Sequence, residues 1–386
     1  MRRTAHRVNA IWMSAILVTG VLAIATPVSA ASCRTWGGQP PNQGTGDNRF
    51  EAVSLVSACE GWAVGAYYDT GLGTDQTLIE RWNGKAWKIV ASPNVGSGNE
   101  LHGVSAVSSN LAWAVGISAD GLADQTLILR WNGKQWNAKT SPNVGGTSND
   151  NVLEAVSAIS GARAWAVGYY DDGGVFRTLI LRWNGTEWKR MKSPNVGAGQ
   201  NMLHSVVALS PSNVWAVGEY YDLTALASRT LVLHWNGTAW KRVKSPNVGI
   251  GDNTLEGVAA SSGSNVWAVG HLFGDTSFRT LILHWNGTAW KRVESPNQGQ
   301  YNNDLFGVAA TTGSNAWAVG RRYDDTFGVY RSLILHWDGS RWRVQAHPSL
   351  GSESTFNGIA ATSSTNAWAV GNYSTAPIQT LAMHCC

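Results

Sequence analysis

The tetrad Trp-Ala-Val-Gly occurs seven times, beginning at Trp62, Trp113, Trp165, Trp215, Trp267, Trp317 and Trp368. The intervals are 51, 52, 50, 52, 50 and 51 residues. A unit repeated at this period buries its apolar face only against its neighbours, so the chain has to be an array of stacked copies. Two further marks keep the same phase. Trp-Asn-Gly starts at Trp82, Trp131, Trp183, Trp235 and Trp285, with Trp337-Asp338-Gly339 as a sixth copy. Five residues beyond each stands another tryptophan: Trp87, Trp136, Trp188, Trp240, Trp290 and Trp342.

One unit reads as four strands. In the fifth, Leu255 to Ala260 is a short β-rich run, and Ser-Ser-Gly-Ser-Asn makes a turn. Val266 to Val269 is a second strand and Thr280 to Trp285 a third with period-two character. Asn286-Gly287 predicts a type I′ hairpin turn. Trp290 to Val293 is the fourth strand, ended by Pro296. No segment beyond the first 30 residues has the pattern of an amphipathic helix. Four-stranded units of this length predict an all-β, seven-bladed β-propeller. The tryptophans then serve interblade packing and hairpin pairing.

The unit resembles the exported bacterial propeller-repeat proteins built on Val-Trp-Ala-Val-Gly…His-Trp-Asn-Gly-x-x-Trp. The resemblance covers residues 31–386 and implies fold and export, without one common activity. The architecture is kelch-like or WD40-like. The kelch double glycine, the Trp-Asp and Gly-His marks of WD40 repeats and the Asp-box of sialidase-like propellers are absent.

The seventh unit stops at His384-Cys385-Cys386, where its Trp-Asn-Gly hairpin is due. Cys33-Arg34-Thr35-Trp36, followed by Pro40-Pro41-Asn42, matches the missing fourth strand. The N-terminal strand is therefore expected to complete blade seven, which removes an open sheet edge. Cys33, Cys59, Cys385 and Cys386 all fall near this seam. Two disulfides are expected, one from Cys33 and one from Cys59, each to Cys385 or Cys386, and the sequence leaves the pairing open. Closing so long a loop contributes roughly 4–5 kcal/mol on chain-entropy grounds.

Residues 1–30 read as a secretory signal peptide. Arg2, Arg3 and Arg7 precede the apolar run Ile11 to Ala25, and small residues offer cleavage near Ala30. Residues 31–386 are then a secreted domain. The whole chain has 29 basic and 25 acidic residues, for a net charge of +4. Removing three arginines leaves a balance near +1, so charge implies no nucleic-acid partner. No later apolar run is long enough for a membrane span. A monomer is expected.

Two residue sets are candidates for function. The first follows each Trp-Ala-Val-Gly, on loops where binding residues concentrate: Tyr67, Tyr68 and Asp69; Tyr169, Tyr170 and Asp172; Tyr220, Tyr221 and Asp222; Phe273; Tyr323 and Asp324. Arg177, Arg229, Arg279 and Arg331 precede the third strand on the same face. Aromatic faces beside carboxylates and guanidinium groups suit sugar rings. Pairing of Asp with Arg or Gln across the hairpin is the structural alternative. The second set follows the first apolar residue of strand one: Glu51, His102, Glu154, His204, Glu256, Phe306 and Asn357. These should gather at one mouth of the central channel. Alternating Glu and His suits a divalent cation or a cationic ligand, although seven positions around a channel are widely spaced for metal ligands. No other cofactor is expected. Asn48, Asn99, Asn151, Asn201, Asn253 and Asn303, two residues before that apolar position, should cap backbone amides.

No Gly-x-Ser-x-Gly elbow, His-Glu-x-x-His motif or phosphate loop is present. Similar blades favour multivalent recognition of a carbohydrate or a protein partner through the loop face. A polysaccharide hydrolase or lyase at the channel mouth, using Glu51, Glu154, His102 and His204, is the alternative. A structural surface or matrix role is the third reading.

Overall fold

Alternating apolar residues and tight turns make each repeat a four-stranded antiparallel meander. In blade three the strands are Asn151–Ser160, Arg163–Asp171, Phe176–Trp183 and Trp188–Arg190. This is a computed structural model, and it describes residues 39–385 except Asp120, without the side chains of Thr147 and Cys385. The chain divides into Met1–Ser32 and Cys33–Cys386; the first unit, and the expected fourth strand at Cys33–Trp36, lie outside the described residues.

Seven such sheets form the propeller, six with four described strands and the last with three. The segment entering blade one lies along blade seven. Asn42 Oδ1 accepts the Thr380 amide at 3.0 Å, as Asn94 Oδ1 accepts the Thr77 amide at 2.9 Å in blade one. Pro41-Asn42 thus fills the Ser-Pro-Asn position that blade seven lacks.

The core consists of seven apolar clusters, each between two blades. Trp62 of blade one packs on Trp131 and Trp136 of blade two, with ring centroids 4.9 and 5.1 Å away. Trp368 of blade seven packs on Trp82 and Trp87 of blade one at 4.8 and 5.4 Å, closing the ring. Trp82 and Trp87 also pair across their hairpin. The expected roles of the tryptophans therefore hold.

Two expectations need correction. The strands run longer than the pattern suggested; the first strand of blade five is Asn253–Ser262. The Asn-Gly turns are not type I′, because only the glycine takes a positive φ, as at Gly84 (82°) and Gly287 (97°). The asparagine caps instead: Asn83 Oδ1 accepts the amides of Lys85 and Ala86.

Every innermost strand carries a β-bulge at the same position near its start, besides a second register shift beside its hairpin turn. The pairing skips Glu51, His102, Glu154, His204, Glu256, Phe306 and Asn357. A bulge leaves its extra residue unpaired and re-aims its side chain. The glycine of Trp-Ala-Val-Gly makes this possible. A Cβ on Gly65, Gly116, Gly168 or Gly320 would stand 2.0 Å from a carbonyl oxygen of the bulged strand.

Candidate functional site

The seven bulged residues line one cavity of about 560 Å³ in the central channel. Glu100, from the start of the innermost strand of blade two, joins them. The wall is sealed by small residues that follow each bulge; a Cβ on Gly257 would stand 2.8 Å from the Phe306 carbonyl oxygen. These bulges lie near the strand ends that receive the interblade loops, so the cavity shares the face of those loops.

Around the cavity the charges interlock. The His102 ring nitrogens lie 3.4 Å from Glu154 and 3.7 Å from Glu100. Arg49 reaches Glu100 at 3.0 Å, Asp75 at 3.2 Å and Glu51 at 3.5 Å. Asn357 donates to the Glu51 carboxylate at 3.0 Å and to the Phe50 carbonyl at 2.9 Å, joining the last blade to the first. His271 approaches Glu256 at 3.9 Å. Phe306 alone brings an aromatic face, with the Arg321 guanidinium 5.5 Å from its centroid. The ring side chains are half-buried; His102 is 18% and Glu51 29% exposed.

Burial raises the Glu51 pKa to about 7, against the opposing pull of His102 and Arg49. Burial disfavours charge on His102, but the flanking Glu100 and Glu154 carboxylates outweigh it and raise its pKa to about 10. His204 is raised too: burial opposes this, and the carboxylates of Glu256, Glu154 and Glu219 prevail. Its Nε2 is buried without a hydrogen-bond partner among the described residues. The ring thus presents the His102 imidazole, held cationic, between carboxylates, and the Glu51 carboxyl titrating near neutrality. Among the described residues no group of three or more His, Cys, Asp or Glu is arranged to hold a metal ion. The acids and imidazoles pair around the wall and do not converge on one point.

The loop set stays distributed, each group within its own blade, and its polar atoms are engaged internally. Asp69 and Asp222 cap amides of their own turns. Asp324 caps the Thr326 amide and pairs with Arg322 at 3.2 Å. Asp172 is exposed and stands 3.9 Å from Arg177. The arginines do not chiefly pair across the hairpin; they donate to carbonyls of the following interblade loop. Arg177 reaches Gly199, Arg229 reaches Gly251 and Ile250, Arg279 reaches Gly299 and Gln300, and Arg331 reaches Gly351. Gln76 and Gln125 do the same in blades one and two. Asn48 and its repeat mates cap the interblade loops as expected; Asn201 binds both the amide and the carbonyl of Val196.

Among the aromatics, Tyr67 packs on the core and Tyr169 on Phe176 at 4.8 Å. Tyr170 is buried beneath Arg190, Tyr220 lies under Arg242, and Tyr323 packs between Tyr301 and Tyr330. Tyr68, Tyr221 and Phe273 remain exposed, at 40%, 36% and 39%. Leu72, Leu122, Leu226, Ile250 and Phe327, on loops of the same face, are more than half exposed.

No family model and no curated protein matches this sequence. Solved structures do match in fold. YCF48 bound to D1 peptide aligns over 90% of this chain and 95% of its own, with 16% identity and a TM-score of 0.54. A GH74 xyloglucanase from Xanthomonas campestris aligns over 88% of this chain and 55% of its own, at 13% identity and TM-score 0.55. A PL25 ulvan lyase aligns over 88% and 95%, at 10% identity and TM-score 0.54. At these identities the likeness establishes the propeller fold. No helix among the described residues is long and apolar enough to cross a membrane.

Proposed function

We propose that this protein is a secreted, monomeric binding protein that takes a carbohydrate ligand at the bulged ring of its central channel. One observation carries the reading. The bulge position differs in chemistry from blade to blade, and its seven side chains converge on a single pocket of glutamates, histidines, an asparagine and a phenylalanine. Sugar hydroxyls both donate and accept, so they match carboxylates set between imidazoles, and Phe306 offers a platform for an apolar sugar face. The internal engagement of the loop arginines and aspartates moves the site from seven similar loop pockets to this central one. Two proteins of similar fold are polysaccharide-active by name and one binds a peptide; the saccharide reading rests on the pocket.

A second reading has its own support. Glu51, with a pKa near 7 beside a cationic His102, has the properties of a general acid or base at neutral pH. A hydrolase or lyase would use this pair. Export through residues 1–30 and a disulfide clasp among Cys33, Cys59, Cys385 and Cys386 belong to the same proposal. The clasp is supported by Cys59, whose sulfur is disulfide-bonded.

The test is a glycan array with the oxidised chain from residue 31, followed by titration of any bound glycan. Binding that weakens at least tenfold in Phe306→Ala and His102→Gln supports the central site. Cleavage of the bound glycan, lost in Glu51→Gln, moves the protein to the enzyme class. A blank array overturns the saccharide reading and leaves a protein ligand to be sought.

A further inference from the structure

Four of the six described outer strands carry a lysine after the third tryptophan, Lys88, Lys189, Lys241 and Lys291, all exposed; blade two has Asn137 there and blade six Arg343. A lysine there protects a sheet edge from pairing with another chain, which accounts for one cation in each blade that has it. Blades three and four hold more. Arg190 and Lys192 in blade three, and Arg242 and Lys244 in blade four, are exposed and form no ion pair among the described residues.

Each guanidinium is oriented by a tyrosine. Arg190 lies 4.6 Å from the ring centroid of Tyr170. Arg242 lies 4.7 Å from that of Tyr220 and donates to its hydroxyl at 3.0 Å. In blade three, Tyr170, Arg190, Lys192, Ser193 and Asn195 line a hollow of about 410 Å³. Tyr220, Arg242, Lys244, Ser245 and Asn247 hold the same repeat positions in blade four, and Arg190 and Arg242 pair with equivalent leucines, Leu181 and Leu233. Elsewhere the set breaks. Blade one has Tyr67 with Ile89, blade two Ser118 with Ala138, and blade six Arg322 with Val344. Blade five keeps Arg292 but has Leu272 and Glu294 in place of the tyrosine and the second cation.

We propose that the outer edges of blades three and four are tandem subsites for a linear anionic polysaccharide, each taking one sulfate or carboxylate between its arginine and lysine. A stacked guanidinium presents its N–H edge in a fixed direction, which suits a planar or tetrahedral oxyanion, and the lysine adds a point charge. A single exposed pair binds weakly because water and salt screen it. Two matching subsites on adjacent blades convert the second contact into an intramolecular one, so a polymer binds where a monomer does not. This surface is separate from the channel, and its ligand is independent of the one proposed there.

The experiment is surface plasmon resonance on the full oxidised chain against four polymers of matched length: chondroitin sulfate, polygalacturonate, dextran and polyphosphate. The expected result is binding of at least one anionic glycan, none of dextran, and weakening as salt is raised. Arg190→Gln with Lys192→Gln should weaken binding roughly tenfold, and adding Arg242→Gln with Lys244→Gln should weaken it roughly a hundredfold or more. Lys291→Gln with Arg292→Gln in blade five should change it less than about threefold. Thermal melts of each variant confirm the fold. An equal loss in the blade-five variant, binding of polyphosphate as tight as that of the glycans, or no binding of either anionic glycan overturns the proposal.

Discussion

Gly168 faces the carbonyl oxygen of Val152 so closely that a Cβ would stand 2.0 Å from it. The obstacle is backbone, and the strand carrying it is pinned by the Glu154 bulge. Gly168→Ala should therefore destabilise the protein by about 3 kcal/mol, as severe overpacking does. Gly313 has nothing within 4 Å of its notional Cβ and an ordinary φ. Gly313→Ala should stay within about 0.5 kcal/mol of wild type. Urea midpoints of the two variants check the contrast.

Glu80 is fully buried in blade one, and neither carboxyl oxygen has a hydrogen-bond partner among the described residues. Leu129, Leu181, Leu233, Leu283 and Leu335 fill this position in blades two to six. Burial raises the Glu80 pKa to about 9, so the folded protein holds the proton that the unfolded chain releases above about 4.5. Stability from this group is complete below about pH 4.5 and is lost as pH rises toward 9. Glu80→Leu should stabilise by about 3 kcal/mol at pH 7 and by less at pH 5. Melting temperatures at pH 5, 7 and 9 decide it; parallel profiles for variant and wild type would refute a protonated Glu80.

The His102 charge holds the Glu51 pKa down against burial. In His102→Gln that pull is gone, and the Glu51 pKa should rise above its present value of about 7. A carboxyl carbon NMR titration measures it. Saccharide binding, if it needs the carboxylate, should then shift its pH midpoint in the same direction.

Arg229 donates to the carbonyls of Gly251 at 2.8 Å and Ile250 at 3.1 Å. Arg229→Ala should loosen that interblade loop, raise amide exchange around residues 248–252, and cost about 1–2 kcal/mol. Binding at the channel should be unaffected. A glycan affinity lost without faster exchange would instead assign Arg229 to the ligand.

Blade number, strand order and tryptophan roles were legible because each rests on local signals that recur in phase. The bulge was not read, although its sign stands in the sequence as an exception to a pattern. Phe50 and Val53, or Leu203 and Val206, are buried three residues apart where a regular strand would place them two apart. Glu80 also went unread, although it is the one acid where five blades have leucine. The arginine contacts were not readable, since Arg177 reaches a carbonyl 22 residues away whose direction is set by the stacking of blades. The interlocking of His102 with Glu100 and Glu154 likewise needed the actual curvature of the ring.

Most positions of the repeat answer to a partner across a strand or in the next blade. The bulged residue answers to no partner across its strand, since its backbone is skipped by the ladder, and its side chain faces the cavity, where it meets its counterparts, as Asn357 meets Glu51 and His102 meets Glu154. The seven positions together form a short text that can be changed letter by letter while the scaffold around it holds still. If the ring is where the proposed ligand sits, a graft of these seven residues is the direct way to ask for a new specificity.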